Sequence, residues 1–497
     1  MLKMAKSSKA LGITLVFVMI AMLSMAIPLS TAPVSAQGVQ VSFPDPNLDR
    51  AIREAIDKPS GPIYVSELQE LSSFNASDRG ISDLSGMEFC TNLSQLDFYN
   101  NKINNLSPLS DLSNLTSLWL GDNQISDITP LSFLTNLNKL GLTQNKISIV
   151  SPLSSLSNLK ELYLTDNKIS DIFPLSGLST LTTLWIGYNQ INDITPLLHL
   201  NNVTQLGLNA NKLSDIATLS GLSNLIELSL FNNDISDISS LSGLSNLTIL
   251  LLGDNKITNI SQLSHLTNLK VLGLSGNKIS NFSTLSELSN LTELYLINTR
   301  MSDLSPLSDL SNLTVLRLYG NQISDISPLS DLTDLEVLDL GYNKIDNITT
   351  LSELTDLTWL DLSFNYIKDI SPLSGLSDLE LLSLGYNYNL GNISALSDLT
   401  NLNEIYLYWT NVKDIQPLVD NRGLSSDDYV NLVYAPLSST SRNTYIPELQ
   451  SRGVRVVYSA PLFWSWAVMT TIALGVILVM FVGAWVLSRM KKKPGGS

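Results

Sequence analysis

Histidine and cysteine are nearly missing from this chain, with two of the first and one of the second in 497 residues. A disulfide needs two thiols, so none forms within the chain. Cys90 lies one repeat before Leu112 and fills a leucine position, which predicts a buried, inert thiol. His199 and His265 recur at the same return position three repeats apart, so they should stand ~14 Å apart on an outer face, too far to share a metal. Neither a histidine-based triad nor a zinc site can be assembled from this inventory. No phosphate-binding loop or nucleotide fingerprint is present, and no cofactor is implied. Basic residues are also scarce, 29 against 45 acids for a net charge of -16, which argues against a nucleic-acid partner and for a soluble acidic surface.

What the chain has instead is a period. Asn returns every 22 residues at 101, 123, 145, 167, 189, 211, 233, 255 and 277, then at 321, 343, 365 and 387. Around each stands Leu-x-x-Leu-x-Leu-x-x-Asn-x-Ile with a short polar return, as in Leu115–Leu131. A fixed period with this motif is the signature of a leucine-rich solenoid. In each Leu-x-Leu, alternate side chains face opposite sides of a strand, so Leu118 and Leu120 point to the core and Ser117, Trp119 and Gly121 away from it. One coil cannot bury its own Leu and Ile, whereas stacked coils close a continuous core. The Asn amide has both donors and an acceptor, and can satisfy turn backbone that an apolar residue would leave unpaired at roughly 1–3 kcal/mol each.

The ladder has breaks. Arg79 marks an imperfect first coil, Thr299 replaces an Asn, and an extra residue near Tyr388–Asn392 delays the next turn position to Thr410. About 16 coils result, for an inner sheet about 70 Å long. A second ladder holds Asp83, Asp127, Asp171, Asp193, Asp215, Asp237, Asp303, Asp325, Asp369 and Asp414, with Asn at 105, 259, 281 and 347. It reads as side-chain capping of the next tight turn; the alternative, a string of calcium sites, lacks the glycine-rich nonapeptide pattern. The Asn-x-Ser/Thr triplets, such as Asn114-Leu-Thr and Asn312-Leu-Thr, fall where the repeat spells them and read as by-products of the period.

The ends divide the chain further. Residues 1–36, with Lys3, Lys6 and Lys9, the apolar run Leu11–Ile27 and Val34-Ser-Ala36, read as an export signal, with an uncleaved anchor as the alternative. An N-terminal helical cap is expected over 37–73, with Asp45 or Asn47 capping a helix whose Leu48, Ile52 and Ile56 share one face. Repeats follow over 74–418. A C-terminal cap over 419–458 should hold a helix at Ser439–Arg452 and a strand at Val454–Tyr458. After a linker, 459–462, the uncharged run Phe463–Leu487 is long enough to span a ~30 Å hydrocarbon core. Trp464 and Trp466 suit its outer interface, and the basic tail 488–497 suits the cytoplasmic side, which faces the solenoid outward.

Information about function sits in what the period leaves free. Large aromatics recur on the outward strand positions and the adjoining rim: Trp119, Tyr163, Trp185 and Tyr188 in the N-terminal half, then Tyr295, Tyr319, Tyr342, Trp359, Phe364, Tyr386, Tyr406, Tyr408 and Trp409. Leu and Ile already fill the core, so these rings are expected on a concave binding face, since Trp and Tyr dominate binding hot spots. The bland alternative is that they only cover one another. Protein recognition, sugar stacking and lateral scaffolding all remain open on residues alone. Asp339 and Asp361 on neighbouring strands are the one carboxylate pair that a glycosidase reading could use; the chain is nevertheless expected not to be an enzyme.

The repeat Leu-x-x-Leu-x-Leu-x-x-Asn-x-Ile-x-Asp-Ile-x-Pro-Leu, behind the Phe43-Pro-Asp-Pro-Asn-Leu48 cap, resembles bacterial internalins and internalin-like surface proteins over about residues 39–458. The resemblance implies an α/β horseshoe with a concave parallel sheet, short 3-10 turns on the convex side, and a protein ligand on the inner face. No immunoglobulin-like domain follows the repeats, and an apolar run stands where a Leu-Pro-x-Thr-Gly wall-sorting motif would be expected. The expectation carried over is therefore only surface recognition, from a single-pass membrane anchor.

Overall fold

The computed structural model describes residues 38–459, and the repeat builds a stack of thin coils. Each coil contributes a three-residue strand, and eighteen strands from Ser73–Asn75 to Arg455–Tyr458 pair in parallel in chain order. The register advances by one repeat per strand, as in Leu316↔Leu338↔Leu360. Pairing runs from the first of these strands to the last, and none joins the two ends among the described residues, so the sheet is open. On the opposite side most coils return through a 3-10 helix, such as Thr129–Phe133 or Ser371–Gly375.

The core lies between. In one coil Leu338, Leu340, Ile345, Ile348, Leu351, Leu354 and Leu357 are all buried. Burying each such side chain stabilises by about 1.5–3 kcal/mol, and the same positions stack in every coil. Cys90 is among them, and burial, with Glu88 nearby, pushes its thiol up to about 12, as an inert core residue requires.

The Asn ladder is what joins coil to coil. Asn123 donates from Nδ2 to the carbonyls of Leu120, Gly121 and, one coil back, Phe98, at 2.9–3.1 Å, while its Oδ1 accepts the Ile103 N–H at 2.9 Å. Asn343, Asn365 and the other rungs repeat this pattern. Thr299 covers part of it: Oγ1 donates to the Leu296 carbonyl at 2.9 Å, but no side chain takes the place of the missing Oδ1 at the Ile279 N–H. The strand register nevertheless passes through Thr299 unbroken. At Tyr388–Asn392 the extra residue is absorbed before the 3-10 helix Ser394–Ser397, and Leu390 regains the core position.

Each Asp of the second ladder accepts the backbone N–H two residues on, at 2.8–3.0 Å, and so opens the convex turn; Asp127 with Thr129 and Asp325 with Ser327 are examples. The same bond appears at Asn105, Asn259, Asn281, Asn347 and also Asn392. Five of the twelve Asn-x-Ser/Thr triplets begin at these turn-capping Asn residues, and the Asn of six others has a third role. Asn92, Asn114, Asn246 and Asn312 donate from Nδ2 to a carbonyl of the preceding coil at 2.7–2.9 Å. The triplets are thus by-products of a structural rung.

Before the first coil, the helix Pro46–Ala55 buries Leu48, Ala51 and Ile52. Asp45, and not Asn47, caps it. Its Oδ1 accepts the N–H groups of Asn47 and Leu48, and its Oδ2 those of Ser82 and Asp83, at 2.7–3.2 Å. One carboxylate therefore fixes the helix and ties it to the first coil. Burial alone would raise the Asp45 carboxyl, but these four N–H groups outweigh it and hold it below the ordinary 3.8. Asp45→Ala should cost about 2–4 kcal/mol, read as loss of hydrogen-exchange protection over the first coils. Because the folded carboxyl titrates lower than the unfolded one, that contribution is full above pH ~4 and disappears as pH falls through the depressed value.

After the repeats, Ile446–Ser451 is α-helical behind a π turn at Ser441–Tyr445, and Arg455–Tyr458 is the last strand. One further strand, Tyr429–Leu432, sits between the sixteenth coil strand and this last one. It falls within the expected C-terminal cap, because its spacing departs from the period. Among the described residues no helix is long and apolar enough to cross a membrane. The expected export signal, the apolar run Phe463–Leu487 and the basic tail lie outside the described residues.

Candidate functional site: an aromatic face on the sheet

The outward strand positions form one continuous face, and the residue immediately before each Asn forms its rim. That rim residue takes a left-handed backbone in coil after coil, with φ of 52–60° at Asp78, Asn100, Asp122, Asp166 and Asn232. Asn, Asp and Gly suit this conformation; for other residues it costs roughly 1–2 kcal/mol. Gln144, Tyr188 and Ala210 break the rule in the N-terminal half, and toward the C-terminal end it is broken in every coil. Tyr342, Phe364, Tyr386, Trp409 and Tyr434 occupy the rim position of five successive strands, with φ of 54–64°.

The five rings meet in series, two pairs stacked and two tilted. Centroid separations are 5.7 Å for Tyr342–Phe364, 3.9 Å for Phe364–Tyr386, 5.8 Å for Tyr386–Trp409 and 4.4 Å for Trp409–Tyr434. Tyr319 joins Tyr342 at 5.9 Å, and Tyr388 meets Tyr386 edge-on. Such pairs contribute about 0.5–1.5 kcal/mol each, which offsets much of the backbone cost. None of the five is buried, and Tyr342 keeps 51% of its surface exposed.

Glycines set the depth of the face. A methyl group at Gly141 or Gly207 would overlap Trp119 or Trp185, so those two indoles lie flat across the next strand. Tyr319 lies the same way over Gly341, where a methyl would come within 2.7 Å of its ring, and Tyr408 lies over Gly385. Three tyrosines use their hydroxyls internally, donating to a Glu two residues earlier on the same strand: Tyr163 to Glu161 at 3.2 Å, Tyr295 to Glu293 and Tyr406 to Glu404 at 2.6 Å. Burial and the facing glutamates push Tyr295 and Tyr406 up to about 12, so these side chains offer ring faces rather than acids.

The charged part of the face is small. Arg317, Asp339 and Asp361 occupy the same position on three adjacent strands. The Arg317 guanidinium lies 4.2 Å over the Trp359 ring and only 3.8 Å from Asp339. Burial and Asp361 raise the Asp339 carboxyl to about 6, and the Gly341 N–H and Arg317 only partly counter them.

The structure divides the thirteen aromatics named from sequence. Trp119 and Tyr163 meet at 5.4 Å, and Tyr188 meets Phe231 at 6.4 Å, as smaller N-terminal clusters. Trp185 and Tyr295 have no aromatic partner among the described residues. Tyr319, Tyr342, Phe364, Tyr386, Tyr406, Tyr408 and Trp409 form one connected surface, with Trp359 beside it under Arg317. Sequence reasoning missed Tyr434, Tyr429, Tyr388, Phe231 and Arg317. The rim position before each Asn was the readable signal for Tyr434, once the longer last spacing is allowed for. His199 and His265 lie exposed on the convex side, ending their 3-10 helices.

Comparison with known proteins fits this geometry. The family pattern described as Leucine Rich repeats (2 copies) matches in successive windows, 91–133, 113–155, 135–178 and 157–199, then 223–265 through 311–353, and 355–398. No curated protein matches the chain by sequence. Among solved structures, an internalin, InlF, from Listeria monocytogenes is 34% identical, with a TM-score of 0.58 over 69% of this chain and 96% of that one. A leucine-rich repeat protein of Leptospira interrogans is 24% identical, with a TM-score of 0.66 over 79% and 97%. The functional domain of InlJ from Listeria monocytogenes is 25% identical, with a TM-score of 0.62 over 80% and 83%. That domain includes a cysteine ladder, which a chain with one cysteine cannot build.

Proposed function

This chain belongs to the leucine-rich repeat family in its internalin-like form, and from that premise we propose that it recognises a protein ligand through its aromatic sheet face at a cell surface. Proteins of this fold are ligand-binding recognition proteins, typically without enzymatic activity. The observation that carries the finer reading is the run of five rim aromatics from Tyr342 to Tyr434. In the twelve coils before Tyr342 the rim is Asn, Asp or Gly except at Gln144, Tyr188 and Ala210, and Tyr188 is the one aromatic among them. Here a less tolerant residue type is used five times in succession, outside the core, on a preformed surface. Preformed geometry lowers the ordering cost of binding, and stacked rings supply rigid apolar area. The export signal in 1–36 and the uncharged run Phe463–Leu487 support display of the solenoid outside a membrane.

The test is capture of a distinct extracellular protein by the purified chain. Tyr386→Asn leaves a residue suited to the left-handed rim and removes only the ring; Trp359→Ala removes the neighbouring indole. Each should weaken capture by about 30-fold, the loss that corresponds to ~2 kcal/mol at a hot spot, while Phe173→Ser on the convex side changes nothing. Self-association insensitive to the first two changes would favour a scaffold. Saccharide binding with the same sensitivity would favour a lectin, and polysaccharide turnover abolished by Asp361→Asn would make the protein an enzyme.

A further inference from the structure

The face between Tyr319 and Tyr408 is not simply apolar. The outward strand positions Val315, Val337, Trp359 and Leu381 run along one side of it, and the aromatic rim runs along the other. Between them lie Arg317, Asp339, Asp361 and Ser383. Tyr319 and Tyr408 lean in over Gly341 and Gly385, the strands on either side of Asp361 and Ser363. The Tyr319 ring and Asp361 Oδ2 both border Gly341, where a methyl would come within 2.7 Å of the ring and 3.2 Å of the oxygen, and both phenols titrate upward, first through burial and then through the charge of Asp361. The strand that carries Asp361 and Ser363 is thus flanked by two tyrosine rings that lie over Gly341 and Gly385, a shallow recess with the Trp359 indole, the Arg317 guanidinium and Asp339 beside it.

Those carboxylates are under-partnered. Asp339 is only 7% exposed. Its Oδ1 accepts the Gly341 N–H at 3.1 Å, whereas Oδ2 has only Arg317 at 3.8 Å, too long for a hydrogen bond. Asp361 accepts the Ser363 N–H at 2.7 Å through Oδ1, and no basic side chain pairs with it among the described residues. Arg317 is held over Trp359 and does not close the recess. One loosely engaged cation thus stands against two carboxylates in a partly desolvated place, where unpaired charge is costly.

We infer that this recess takes a basic side chain, arginine or lysine, of the protein ligand; the inference rests on the recognition reading above. A guanidinium or ammonium donates to acceptor-only oxygens and lies well against aromatic faces, so one group satisfies both kinds of wall. An acidic or apolar side chain would leave the carboxylates as they are. Calcium requires six to eight oxygens, more than two aspartates supply. The net charge of -16 draws basic partners to the chain as a whole.

Panning a random twelve-residue peptide library on the full-length chain tests this. Recovered peptides should be rich in Arg or Lys, and replacing that residue by citrulline, which keeps the shape and removes the charge, should weaken binding about tenfold or more. On Asp361→Asn, which retains an acceptor for the Ser363 N–H, arginine and citrulline peptides should bind within about twofold of each other. Should that variant not fold, the arginine-to-citrulline ratio on the unaltered chain decides alone. Peptides that need Tyr386 but bind equally well as citrulline forms overturn the basic-side-chain inference and leave recognition standing. An absence of any peptide that depends on Tyr386 or Trp359 overturns both.

Discussion

Asn343→Ala should lower the stability of the solenoid by about 3–5 kcal/mol, measured by urea unfolding at neutral pH. The Asn343 amide donates to the carbonyls of Leu318, Leu340 and Gly341 at 3.0–3.1 Å and accepts the Ile323 N–H at 3.0 Å. Two of those partners belong to the preceding coil, so the loss falls on the junction between coils. Alanine leaves the Ile323 N–H buried without an acceptor, and water has little access, since position 343 is itself buried. Asn343→Asp should be at least as damaging: it keeps the acceptor but turns a carboxylate toward three carbonyl oxygens. Asn343→Thr should be the mildest, because the hydroxyl at Thr299 and Thr410 still reaches the carbonyl three residues back. In a solenoid each coil contacts only its neighbours, so loosening should spread outward from this junction. Equal stability of the alanine and native chains would remove the Asn ladder from the account of what joins the coils.

That ladder was fully legible in the sequence because the period forces one residue type into one environment many times. The same holds for the turn-capping Asp positions, all ten of which accept the expected N–H, and for the buried Cys90. Asp45 was legible as a helix cap, but not its second set of bonds to Ser82 and Asp83, because those depend on where the helix lands against the first coil. The candidate face was readable less well. Strand alternation assigned Trp119, Trp185 and Trp359 outward correctly. It did not say that Gly141 and Gly207 are the seats of two indoles, since a glycine in a repeat looks like an empty position until a neighbouring ring fills it. The rim was also underread. Tyr342, Phe364, Tyr386 and Trp409 stand among the candidates on the strand face and its rim, but the sequence alone did not show that the residue directly before each Asn, or before Thr410, links them into one continuous series. Its left-handed backbone is invisible in a string of letters when Tyr or Trp stands where Asn or Gly would signal it. Tyr434 escaped for a plainer reason, because its strand follows a spacing outside the period.

Asp339→Asn should stabilise the chain at neutral pH and leave it unchanged in acid. Burial and the Asp361 charge lift the Asp339 carboxyl from its ordinary 3.8 to about 6 in the folded chain, despite Arg317. A carboxyl that titrates higher when folded binds its proton more tightly there than when unfolded. Its ionisation therefore removes stability as pH rises from about 4 to about 6, and the full cost is present above that window. The gap corresponds to about 3 kcal/mol at most. Asparagine keeps an acceptor for the Gly341 N–H but gives up the weak attraction of Arg317, so a net gain of about 1–2 kcal/mol is expected at pH 7.5. Thermal unfolding of both chains from pH 4 to pH 8 reads this directly: the curves should meet near pH 4 and separate above pH 6, with the asparagine chain on top. A variant that is less stable throughout would mean that the Arg317 pair outweighs desolvation, and that the carboxylate is content where it sits. The expected sign has a functional side. A charge held on the sheet face at a net loss of stability is a charge kept for something outside the fold, and a basic ligand side chain in the recess would bring the Asp339 carboxyl back down.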